Sequence, residues 1–162
     1  MKSATALLLL ATSVSVSVTD AIYQNVYGRD LEPCSSDGMA LTGYTRSSYC
    51  TNVQDDVGSH HVCVDVGTTS GGNFCAVTGQ PDWCSSSMPC HPSGAAGECP
   101  VRDWCVCQWA FASYIEKAGG CGMIQDIKCE SINVEAVKAY ERSEEAKHKA
   151  ALECIRERCG LE

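Results

Sequence analysis

Asp56-Val57-Gly58-Ser59-His60-His61 sets a carboxylate four residues before an imidazole, and Cys63 follows three residues beyond His60. A carboxylate that orients an imidazole, and an imidazole that takes a proton from a thiol, together make an activated nucleophile. Asp56, His60 and Cys63 are therefore the candidate catalytic residues. Imidazole and thiolate also suit a soft or borderline metal ion, with His60, Cys63, Cys34 and Cys105 as candidate ligands. The same stretch reads equally as a structural turn. In that reading Asp56 and Ser59 satisfy backbone donors, Gly58 takes an unusual dihedral, and Cys63 is bridged or buried. Cys105-Val106-Cys107, read at a helix start, splays its thiols by about 200° and so supplies two separate packing or bridging positions rather than a chelating pair. Arg46 is a candidate ion-pair partner of Asp55 or Asp56, and His91 and His148 read as solvated surface.

Familiar chemistries are missing. The chain contains no C-x-x-C, no H-E-x-x-H, no G-x-S-x-G, no phosphate loop and no dinucleotide fingerprint. No cofactor is expected.

The elements that must position these residues follow from periodicity and turn chemistry. Val62, Val64 and Val66 alternate with His61, Cys63 and Asp65, the clearest strand pattern in the chain. Thr42-Gly43-Tyr44 marks a tight turn with glycine where φ must be positive. Asp103 is expected to cap a helix to Ala118, because Trp104, Cys107, Phe111, Tyr114, Ile115 and Ala118 recur at helical spacing before Gly119-Gly120. Ile124 to Ser131 reads as a second strand. Asn133 is expected to cap a long helix reaching Cys159 and stopped by Gly160, with a stripe of Val134, Val137, Ala146, Ala150, Cys154 and Ile155. Residues 74–100 shift to Ser, Gly, Pro and Cys without periodicity and read as a loop excursion stapled by disulfides.

Composition bounds the class. Residues 1–21 have a short positive start at Lys2, an apolar run, and small residues at Thr19 and Ala21, the pattern of a cleaved secretory leader. About 140 residues then remain, the size expected of one domain over 22–162. The net charge of −8 argues against nucleic acid as a partner, and a protein or small ligand is expected instead. No later stretch suits a membrane span. All 13 cysteines lie beyond the leader, a density typical of secreted disulfide scaffolds. Each bridge typically adds about 2–4 kcal/mol, against a usual net stability of about 5–15 kcal/mol. An odd count leaves one thiol unpaired or paired between chains.

Several blocks together resemble a known family. Asn25-Val26-x-Gly28-x-x-Leu31-Glu32-Pro33-Cys34-Ser35, Thr42-Gly43-Tyr44-x-Arg46, Asp56-Val57-Gly58-Ser59-His60-x-Val62-Cys63 and Trp104-Cys105-x-Cys107 are similar, in order and spacing, to the domain of unknown function 2237 family. The resemblance covers roughly residues 25 to 66 and 103 to 140. It implies an α+β domain, a small sheet with helices packed on it in two layers, and it implies no activity. Relatives have Cys-Cys where this chain has Tyr49-Cys50, and a histidine in an A-T-H triplet where it has Asn133. A helix and a G-N-D-L-S-type segment in relatives replace the excursion.

Against that resemblance, Cys34, Cys50, Cys63, Cys105 and Cys107 match family positions, whereas Cys75, Cys84, Cys90, Cys99, Cys121, Cys129, Cys154 and Cys159 do not. The second set is even and suits four bridges. One shielded free thiol is therefore expected among the first five. The expected function is a secreted, non-enzymatic binding or structural module, with an enzyme or metal protein centred on Asp56, His60 and Cys63 as the alternative.

Overall fold

A computed structural model describes residues 23–162. The expected leader at 1–21 lies outside the described residues.

The alternating valines form β1 (Val62–Asp65), which pairs antiparallel with β4 (Asp103–Val106) in the register Val62↔Val106, Cys63↔Cys105, Val64↔Trp104, Asp65↔Asp103. The expected helix start at Asp103 is thus a strand. Backbone donors there are satisfied across the sheet, and the Thr42 hydroxyl accepts from the Cys105 N–H at 2.9 Å. Asp103 caps nothing and instead pairs with Lys128 at 2.5 Å. The helix proper, α2 (Gln108–Ala118), begins after Cys107 and ends at Gly119, whose φ of 93° closes the last turn.

Residues 74–100 hold a short helix α1 (Phe74–Thr78) and a hairpin of β2 (Ser87–Pro89) and β3 (Glu98–Pro100). The expected second strand over Ile124–Ser131 reduces to one bridge, Val64↔Ile127, followed by a 3-10 turn at Cys129–Ser131.

The C-terminal region holds two helices where one was expected: α3 (Val134–Glu141), capped by Asn133, and the long α4 (Ala146–Cys159), ended by Gly160. His148 packs across the break. It is buried, and its Nδ1 lies 2.7 Å from the Ser143 hydroxyl, a contact that a continuous helix would not allow. Its expected place at the surface is corrected, whereas His91 stays partly exposed, with its Nδ1 2.6 Å from the Ser48 hydroxyl.

The result is an α+β fold. The inner valines of β1 pack with Phe111, Tyr114 and Ile115 of α2, Tyr140 of α3, and Leu152 and Ile155 of α4 in one hydrophobic core. Phe74 joins it edge-on to Tyr114, with centroids 4.9 Å apart. Each such side chain, fully buried, contributes about 1.5–3 kcal/mol. Six disulfides cross-link the fold, two of them in a separate buried cluster of their own, Cys34–Cys63 and Cys50–Cys105, and the others Cys75–Cys84, Cys90–Cys99, Cys121–Cys154 and Cys129–Cys159. The described residues include every cysteine, and Cys107 alone is unpaired. Among them, no helix is long and apolar enough to cross a membrane.

Candidate functional site

Asp56 and His60 are joined by the turn between them. The buried Asp56 carboxylate accepts the His60 backbone N–H at Oδ2 and the ring Nδ1–H at Oδ1, both at 2.7 Å. With Nδ1 committed as donor, Nε2 carries the lone pair that can take a proton. Ser59, and not Gly58, holds the left-handed conformation of this turn, with φ 50°. Gly58 is needed for a different reason: a Cβ there would lie 2.5 Å from His60 Cε1. The ring passes directly over the glycine.

His60 opens on a cavity of roughly 270 Å³ that it shares with Arg46, Trp104, Cys105 and Cys107. Arg46 stacks its guanidinium over the Trp104 indole, 4.9 Å from the ring centre, and Tyr44 stacks on His60 with centroids 6.1 Å apart. Arg46 therefore does not pair with Asp55 or Asp56. It forms no ion pair with any carboxylate among the described residues. The opposite wall comes from the excursion, which contributes Phe74, Gln80, Trp83 and Met88.

Cys107 has the expected shielded thiol, half-buried at the N-cap of α2 with φ −54° and ψ 127°. Cys107 lies just beyond the end of β4, where the backbone has left the strand conformation. No side chain caps the first turn of α2.

Cys63 does not join Asp56 and His60 as a nucleophile, because it is bonded to Cys34. For the same reason Cys34, Cys63 and Cys105 cannot ligate a metal with His60 while their bridges stand. Two groups are close enough to hold an ion, Cys34 with Cys50 and Cys63, and Cys75 with Asp82 and Cys84, but all their sulfurs are in disulfides. The other eight cysteines, Cys75, Cys84, Cys90, Cys99, Cys121, Cys129, Cys154 and Cys159, pair among themselves.

Three of the four blocks read in sequence thus meet at one place, with Tyr44 and Arg46, His60, and Trp104 to Cys107 around it. A family model described as an uncharacterized protein conserved in bacteria (DUF2237) matches residues 24–156. The chain belongs to this family. The comparison with curated proteins finds no match. Within this DUF2237 chain, Asn133 lies away from the cavity. It caps α3 by accepting the Glu135 N–H at 3.0 Å, and its own N–H donates to the His61 carbonyl at 2.9 Å.

His61 was not singled out from sequence, yet it is the most perturbed imidazole of the region. Its ring turns away from His60 and bonds Gln108 Oε1 through Nδ1 at 2.9 Å. Burial pushes its pKa below the usual histidine range, and Nε2 is buried without a hydrogen-bond partner among the described residues. The one sequence signal was adjacency: two consecutive histidines entering a strand must face opposite sides.

Proposed function

We infer that this is a secreted, disulfide-stabilised binding module whose ligand is a small carboxylate-bearing molecule with a flat or apolar body. One observation carries the reading: Arg46, lacking a carboxylate partner among the described residues, holds its guanidinium over the Trp104 ring in the lining of the cavity that His60 enters. A guanidinium so held offers its edge to a carboxylate while its face stays on the indole. His60 adds a second polar contact, and Trp83, Met88 and Phe74 supply an apolar wall. Secretion is supported by the leader-like residues 1–21 and by the density of bridges, which persist in oxidising compartments.

Titration of tryptophan fluorescence with small aromatic carboxylates, and with their amides as neutral controls, tests the reading. The acids are expected to shift the emission and the amides are not, and Arg46→Gln is expected to weaken acid binding by about tenfold or more, as befits a charged hydrogen bond. Equal binding of acid and amide, or binding indifferent to Arg46→Gln, overturns it. A second reading places nucleophilic chemistry in the same cavity, favoured by the Asp56–His60 pair beside a free thiol.

A further inference from the structure

We propose that Cys107, with His60 as its proton acceptor and Asp56 as the residue positioning that imidazole, is a one-cysteine thiol–disulfide exchange centre for small anionic disulfides. The proposal rests on the binding reading above and adds the chemistry of the ligand.

Four observations converge on it. Cys107 and His60 line one cavity, and Asp56 fixes the His60 ring with Nε2 as the free nitrogen. The remaining 12 cysteines are all bridged, so exchange with an external molecule has a single thiol to use. Arg46 supplies a cationic rim on a chain whose net charge is −8, so attraction of an anion here is local and opposes the overall field. The wall is also soft and aromatic: Met88, Trp83 and Trp104 suit a sulfur–sulfur unit, since divalent sulfur packs favourably against aromatic rings.

The step balances without an added oxidant. Cys107 gives its proton to His60 Nε2, and its sulfur attacks one sulfur of the bound disulfide. The ligand S–S bond breaks as the Cys107–ligand S–S bond forms, and the departing thiolate takes the proton back from His60. One thiol and one disulfide are consumed, and one of each is produced. With no second free thiol in the chain, only an external thiol can release the mixed disulfide. The centre is therefore reversible and stores one thiol equivalent.

The test uses the leader-free protein with three disulfides of similar size, dithiodiglycolate (anionic), 2-hydroxyethyl disulfide (neutral) and cystamine (cationic). Mixed-disulfide formation is followed by intact mass, with peptide mapping for position. The expected result is a single adduct on Cys107, absent in Cys107→Ser, forming fastest with dithiodiglycolate. Arg46→Gln is expected to abolish that preference. His60→Ala is expected to slow the reaction about tenfold or more near neutral pH, with rates converging on the parent's at alkaline pH, where a thiol ionises unaided. A merely structural role for His60 would not produce that convergence. Cystamine reacting fastest, adducts on another cysteine, or His60→Ala matching the parent throughout overturns the proposal. Binding of aromatic carboxylates by the parent protein separates the two claims. If it is seen while the parent forms no Cys107 adduct, the binding reading stands alone. If neither is seen, both fall.

Discussion

A methyl group on Gly58 would have to share space with the His60 ring, since the added carbon would lie 2.5 Å from Cε1. The obstacle is the end of a half-exposed side chain, so the imidazole can swing aside without moving the backbone. It cannot do so and keep the 2.7 Å bond to Asp56, whose buried carboxylate then loses a partner at a cost of about 1–3 kcal/mol. Gly58→Ala is therefore expected to lower the melting temperature by several degrees without unfolding the protein, and to slow alkylation of Cys107 by iodoacetamide about tenfold near neutral pH. A melting curve beside an alkylation time course checks both halves. The Asp56–His60 pair was legible in sequence because four residues of turn suffice to close it. Cys107 was not, because it comes to line the same cavity as His60 only through pairing of β1 with β4, which no local pattern encodes. Cys63 was the nearer thiol along the chain, but its sulfur is taken up in the bond to Cys34.

Among the elements, α4 relies most on sulfur. Its charges crowd the outer face, and its buried side is narrow: Ala151, Leu152 and Ile155 with His148, Cys154 and Cys159. Cys154 and Cys159 tie it to Cys121 and Cys129, closing loops of 33 and 30 residues. Replacing Cys129 and Cys159 together by serine is expected to cost about 2–4 kcal/mol, read as a lower urea midpoint with α4 released first in hydrogen exchange. The strand β1 was legible because valines alternate through it. The helical spacing of Trp104, Cys107 and Phe111 misled, because tertiary hydrogen bonds to β1 and Thr42 outweigh a local period. The interruption at residues 142–145 had a further effect. It resets the angular phase, so Ala146 and Ala150 face solvent while Ala151 and Leu152 turn inward, against the stripe expected of a continuous helix.

For the molecule as a whole, His61 links folding to pH. Burial lowers its folded pKa below the ordinary histidine value of about 6.5, with its Gln108 bond and the nearby Asp56 and Glu135 only partly opposing. Between the folded and unfolded values the unfolded chain binds more protons, so stability rises with pH across that window. His61's contribution is thus complete above about pH 6.5 and is lost progressively as pH falls toward the depressed folded value. Urea unfolding from pH 8 to pH 5 is expected to show this decline, and His61→Gln is expected to flatten it.

The bridge pattern partitions the polypeptide in a way its fold does not show. Cys34–Cys63 and Cys50–Cys105 overlap and enclose the two short loops, making one continuous covalent ring system over residues 34–105. Cys121–Cys154 and Cys129–Cys159 make a second over residues 121–159. No cross-link joins the two. A protease nick inside either ring system leaves every fragment tethered, whereas one scission in or beside α2 parts the molecule in two. The helix that begins at the free thiol is also the only covalent thread between the halves.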